Sequence, residues 1–137
     1  MTSVAVWLLT AGGVILVLIG GFFLTARPPL LPEDARYLGS SVEDLIDVVP
    51  ALSAWLRRVF WVLGGFVATT GILVVYVART SLDTSSAGGL AVLTTAGVTS
   101  VGWMTVVNFM IRSAFRWALF ALSAMWAVGL LVGVAAR

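Results

Sequence analysis

The polar side chains that could do chemistry within an otherwise apolar chain are concentrated between Ala87 and Ile111. Thr95 and Thr99 lie four residues apart on one helical face, Ser100 lies beside them, and Asn108 carries the chain's only side-chain carboxamide. In lipid, hydroxyls bond to their own helix or to a neighbouring helix, and small residues let backbones approach closely. The pattern favours helix packing, and its alternative is a polar path or ligand pocket along this stretch.

Arginines at the ends of the apolar runs form a second candidate group. They are Arg57, Arg58, Arg112 and Arg116, and the last two follow Asn108 at steps of four. Arginine near the end of a membrane helix extends its guanidinium to the headgroup level at little cost. The sequence favours this placement alone. Because the topology argued below places all four on one membrane face, the alternative is a lipid-headgroup site formed by them.

Small residues also recur at a spacing of four in two other apolar runs. Gly129 and Gly133 form a GxxxG pattern in the last run. Comparable pairs in an earlier run are Gly64/Ala68 and Gly65/Thr69. Such patterns predict a face where another helix approaches closely, either from the same chain or from a different protein.

Two tryptophans, Trp103 and Trp126, lie deeper in their runs than an aromatic belt at the membrane surface requires. A buried indole N–H needs a hydrogen-bond acceptor. We therefore expect hydroxyls of the 87–111 run to accept these bonds.

Residue types that are missing argue against catalysis. The chain has no Cys, His or Lys, and its four apolar runs contain no carboxylate. General acid–base chemistry depends on such groups, and thiol chemistry and the commonest metal and haem sites depend on Cys or His. The sequence thus predicts a protein that is not an enzyme, with no catalytic residue, cofactor or metal. Its arginines are scattered at helix ends, which also argues against nucleic-acid binding.

The elements that carry these residues follow from composition and run length. The chain of 137 residues is 61% hydrophobic with a mean hydropathy of +1.10, whereas soluble domains are about 45–50% apolar. A membrane helix needs roughly 20 apolar residues, and the runs 4–24, 59–78, 87–111 and 118–136 meet that length. The first run is longer than the core of a cleavable signal, so we expect it to be retained. The prediction is an all-α membrane protein, a single domain of four transmembrane helices.

The polar loop 25–58 joins the first two runs. Its prolines Pro28, Pro29 and Pro32 predict an extended exit from the membrane. Ser40 or Ser41 could cap a short helix, with Glu43 as capping-box partner of Ser40. The apolar positions of that helix recur at helical spacing: Val42, Leu45, Ile46 and Val49. We expect an amphipathic helix at the membrane interface, and then a helix from Pro50 that continues into the second span.

Arginine counts on the two sides of the membrane predict the orientation. The side of the loops 25–58 and 112–117 has six: Arg27, Arg36, Arg57, Arg58, Arg112 and Arg116. The opposite side has Arg79 and Arg137. Both loops are therefore expected in the cytoplasm, with both termini outside. Since every base is arginine, which suits a GC-rich bacterial genome, the expected location is the bacterial cytoplasmic (inner) membrane.

Three functions fit these observations. The first is an accessory or assembly subunit of a larger membrane complex, the second a small oligomeric channel or carrier with a path along the third span, and the third a lipid-associated protein. The expected partners are membrane lipids and a larger complex or further copies of the chain. In length and span number the chain resembles the fluoride channels, whose third helix carries a Gly-Gly-x-Thr-Thr-Phe-Ser-Thr-Phe-like stretch. The nearest stretch, Gly88–Leu90 followed by Thr94–Ser100, has neither its phenylalanines nor its spacing, so no family is assigned.

Overall fold

The computed structural model describes residues 2–82 and 87–136, and all regular structure within those ranges is helical. The helices are α1 (Thr2–Thr25), α2 (Pro32–Tyr37), α3 (Val42–Val48), α4 (Leu52–Ser81), α5 (Ala87–Gly97), α6 (Trp103–Met110) and α7 (Arg116–Ala135). A π-helical segment, Val98–Gly102, joins α5 and α6 into one continuous helical stretch.

The prediction of an all-α chain with four spanning-length helices is confirmed for the described part of the chain. The four helices long and apolar enough to cross a membrane are Ser3–Thr25, Leu52–Ser81, Ala87–Met110 and Arg116–Ala135. The second extends beyond the predicted run 59–78 at both ends. Its N-terminal extension confirms that the helix preceding this run continues into the span without a break.

Glycines bring α1 and α4 into direct backbone contact. A Cβ atom at Gly71 would lie 2.5 Å from the carbonyl oxygen of Gly13, and one at Gly20 would lie 2.6 Å from that of Gly64. The contacting glycines are seven positions apart on each helix and pair in opposite directions, so the helices are antiparallel. A spacing of seven residues is close to two helical turns, so both glycines of each helix lie on the same face.

On its other side, α1 packs against α7. A Cβ at Gly129 would lie 3.0 Å from Cγ of Leu9, and one at Gly133 would lie 3.7 Å from Cβ of Ala5. The GxxxG face predicted from the sequence therefore meets a helix of the same chain. α1 therefore packs between α4 and α7, and the fully buried Leu9 and Leu16 lie on it.

The segment between α1 and α4 (residues 26–51, hereafter the elbow) contains a helix that was not expected. The prediction that Pro32 belongs to an extended segment is wrong, because α2 begins at this residue. Proline is tolerated in a first helical turn, where its missing N–H has no intrahelical partner to lose. The carboxylate of Asp34 accepts a hydrogen bond from the Leu31 N–H (3.0 Å), which helps to fix the start of α2.

The second elbow helix, α3, was expected at its observed place. Its cap is Ser41, whose hydroxyl accepts a hydrogen bond from the Asp44 N–H (3.0 Å). The residue at the third helical position is thus Asp44, so the alternative cap at Ser40 with Glu43 as its partner is wrong. The helix ends at Val48 and has no buried residue. Of its predicted apolar face, Val42 and Leu45 are partly covered, whereas Ile46 and Val49 are exposed.

A buried charge cluster and an arginine groove at one end of the bundle

The elbow and the turn between α6 and α7 meet at the same end of the bundle. Ser113, in that turn, donates a hydrogen bond from Oγ to Oε1 of Glu33 (3.0 Å), and both side chains are buried. Ser113 Oγ also accepts the Phe115 N–H at 3.2 Å. A buried carboxylate is costly unless it is hydrogen-bonded, so this contact fixes α2 against the turn. It also places the elbow and the turn between α6 and α7 on one side of the four long helices.

Arg27 holds the start of the elbow. Its guanidinium lies 3.4 Å from the centre of the Phe60 ring, forms an ion pair with Asp34 (3.4 Å) and donates to the carbonyl oxygen of Pro28 (2.8 Å). Burial lowers the pKa of Arg27, and the attraction of Asp34 partly offsets this change. Arginine remains protonated in proteins. Arg27 is therefore a cation enclosed by protein, where the sequence analysis had counted it only as a loop charge.

A groove lies beside Arg27, where the end of α1 faces the beginning of α4. Its volume is about 350 Å³. The lining residues are Phe23, Leu24, Thr25, Ala26, Arg27, Pro28, Pro29, Arg57 and Trp61. Arg57 is exposed, and within the described residues it forms no ion pair. The groove therefore combines one compensated arginine with one uncompensated arginine, and the side chains of Phe23, Leu24 and Trp61 border them.

The four arginines of the predicted headgroup site lie at this end but do not form one cluster. Arg57 and Arg58 are exposed in the first turns of α4. Arg112 has a positive φ of 53°, and Arg116 donates to its carbonyl oxygen (3.1 Å) and to that of Ser113 (3.3 Å). No hydrogen bond or ion pair joins the two pairs in the part of the chain that the structure describes. Of the four, only Arg57 lines the groove.

The polar groups of the third span bond to their own helix. Thr99 Oγ1 donates to the carbonyl oxygen of Thr95 (2.8 Å), Ser100 Oγ donates to that of Ala96, and Asn108 Nδ2 donates to Met104 O (2.8 Å). The side chains of Thr95 and Thr99 are exposed on the outside of the bundle. These residues do not converge on a path or pocket inside the single chain.

Sequence analysis did not single out Thr105, which links two helices. It is buried, and its hydroxyl lies 2.8 Å from the carbonyl oxygen of Val101 in its own span. On α7 it lies 3.0 Å from the carbonyl oxygen of Leu119 and 2.8 Å from Ser123 Oγ. Its spacing in the sequence resembles that of the other third-span hydroxyls. Only the position of α7 distinguishes it from Thr99.

The two deep tryptophans have different environments. Trp126 is buried, and its indole N–H donates to the carbonyl oxygen of Leu93 (3.1 Å), so the expectation of a hydroxyl acceptor is wrong. A Cβ at Gly97 would lie 2.5 Å from this indole nitrogen, so the indole occupies the space above the glycine. Trp103 is 65% exposed and needs no acceptor within the bundle. Gly97 directly precedes the π-helical segment, so the wider turn begins where the indole packs.

Within residues 2–82 and 87–136, no group of three or more His, Cys, Asp or Glu side chains is placed to hold a metal ion. Comparison with protein-family models, curated proteins and solved structures found no match to this chain.

Proposed function

We propose that this chain is a non-catalytic multi-pass protein of the bacterial cytoplasmic membrane and acts as an accessory or assembly subunit of a larger complex. The observation that carries the proposal is the outward position of Thr95 and Thr99 on the third span. Their face of the span is not covered by any other helix of the described chain. We assign the docking of the partner to this face.

The two sides of α5 support this assignment. Toward the bundle, α5 presents Gly89, Leu93 and Gly97, all of which are buried. Away from the bundle it presents Thr95 together with other small side chains. Because the Thr99 hydroxyl is bonded within its own helix, this face needs no water, and its small residues let a second helix approach closely.

In the proposed orientation, the loops 25–58 and 112–117 face the cytoplasm and both termini face outside. The asymmetry of six arginines against two supports this direction. The contact between Glu33 and Ser113 supports placing both loops on the same side. In this orientation α3 lies along the membrane interface with its apolar residues toward lipid, and lipids are a second partner.

The test compares two exposed threonines on different helices. Thr95→Leu places a large side chain on the proposed docking face, whereas Thr80→Leu makes the same change on an exposed position of α4 that lies outside its small-residue pairs. Each variant is purified from its native membrane in mild detergent, and the mass and composition of the complex are measured. We expect wild type and Thr80→Leu to retain a stoichiometric partner that Thr95→Leu loses. A wild-type chain that purifies alone, or equal retention by both variants, would contradict the proposal.

A small oligomeric channel is the alternative function. The outward direction of Thr95 and Thr99 means that their hydroxyl face can line a path only between copies of the chain or against another protein. A stoichiometric homo-oligomer with ion or solute flux in liposomes would favour this alternative over the accessory subunit.

A further inference from the structure

The groove beside Arg27 carries an unbalanced positive charge. Arg27 is paired with Asp34, whereas Arg57 has no acidic partner among the described residues. The groove volume of about 350 Å³ lies within the range of small-molecule sites, which is about 300–1,000 Å³. A single anionic group of the size of a phosphate would balance the unpaired positive charge of Arg57.

Apolar side chains border the charged groups of the groove. Phe23 and Leu24 line it from the end of α1, and Trp61 lines it one turn beyond Arg57. In the proposed membrane placement these residues lie at the junction of the acyl chains and the headgroups. Tryptophan is enriched at that level, and arginine binds phosphate through paired N–H donors.

We propose that the groove binds the phosphate of one anionic phospholipid, with Arg57 as the residue that selects for negative charge. Arg27 is the rigid wall of the site, since its guanidinium is fixed by Asp34, Phe60 and Pro28. Trp61 contacts the glycerol region of the lipid. The inference rests on the membrane placement proposed above and is independent of the docking face on the third span.

Adjacent arginines provide the matched control. Arg57→Gln and Arg58→Gln remove the same charge from neighbouring exposed positions, but only Arg57 lines the groove. The delipidated protein is titrated with phosphatidylglycerol or with phosphatidylcholine, and binding of the first lipid is measured by native mass spectrometry. Glycerol 3-phosphate is added as a water-soluble competitor, and Arg57→Lys tests whether restoring the charge restores binding.

We expect one phosphatidylglycerol to bind wild type more tightly than phosphatidylcholine does. Arg57→Gln should weaken phosphatidylglycerol binding about fivefold, the effect of one basic residue near an anionic surface, while Arg58→Gln should weaken it less than about twofold. Arg57→Lys should recover most of the affinity. Circular dichroism should show unchanged helix content in all three variants.

Three outcomes would overturn the inference. Equal weakening of lipid binding by Arg57→Gln and Arg58→Gln would indicate diffuse charge attraction. Equal binding of phosphatidylglycerol and phosphatidylcholine would show that the groove does not prefer an anionic lipid. Displacement of the lipid by glycerol 3-phosphate would indicate a site for soluble phosphate. Failure of the membrane placement is detected separately, because alkaline carbonate would then release the protein from membranes. Loss of the partner complex does not affect this experiment, which uses the isolated chain.

Discussion

Gly71→Ala is expected to separate α1 from α4. The added methyl carbon would lie 2.5 Å from the carbonyl oxygen of Gly13 and 2.8 Å from the backbone nitrogen of Val17. Close carbon–oxygen contacts in proteins lie at about 3.3–3.6 Å. Since both obstructing atoms belong to the backbone, no side-chain rotation relieves the contact, and one helix must move by nearly 1 Å.

Gly65→Ala is the control that isolates this cost. It lies on the same helix, and a Cβ there would have no neighbouring atom within 4 Å. Replacing glycine by alanine in a helix stabilises it by about 1 kcal/mol in either position, so that gain cancels in the comparison. Overpacking costs about 1–3 kcal/mol. Gly71→Ala should therefore be less stable than Gly65→Ala by about that amount.

The assay is reversible unfolding of the purified protein in mixed micelles with increasing sodium dodecyl sulfate, followed by circular dichroism. The expected result is a lower midpoint for Gly71→Ala than for Gly65→Ala, with wild type below Gly65→Ala and at or above Gly71→Ala. Unfolding free energies that differ by less than about 0.5 kcal/mol would refute the glycine contact as the determinant of α1–α4 packing, because additivity errors are of that size.

Three further predictions concern the other parts of the molecule. Gly97→Ala should displace the indole of Trp126 and lower the free energy of unfolding by about 1–3 kcal/mol relative to Gly65→Ala. Equal stability of these two variants would contradict a tight contact between Gly97 and the indole. Glu33→Ala should leave the buried Ser113 hydroxyl without an acceptor and lower the free energy of unfolding by about 1–3 kcal/mol. It should also speed trypsin cleavage of the elbow at least about fivefold, whereas Glu43→Ala, at an exposed position, should change neither quantity. Thr99→Val should change stability by no more than roughly 0.6 kcal/mol. In liposomes neither this variant nor wild type should conduct, and a wild-type flux lost in the variant would favour the channel.

The number and approximate limits of the spanning-length helices could be predicted because they depend on local properties. Run length and hydropathy do not depend on what a helix packs against. The cap of α3 was also accessible, since Ser41 precedes the apolar repeat directly. Pro32 was misjudged because the residue type alone does not distinguish a helix breaker from a first-turn residue.

The contacts between helices could not be predicted in the same way. Gly64 and Gly65 are adjacent, yet only Gly64 meets α1, because the helix turns its neighbour away from the seam. The role of Arg27 depends on Phe60 and Asp34, which the chain brings to it from α4 and α2. A count of arginines records its charge but cannot show that protein encloses it.

Single cysteines test the membrane placement on which these proposals rest, and the chain contains no other cysteine. Ser3→Cys and Ser41→Cys are placed near the N-terminus and at the start of α3, and intact cells are treated with an impermeant maleimide. We expect Ser3→Cys to react from outside and Ser41→Cys to react only after the membrane is opened. If Ser41→Cys reacts from outside and Ser3→Cys is protected, the orientation is the opposite of the one proposed. If both variants react equally in intact cells, α1 does not span the membrane.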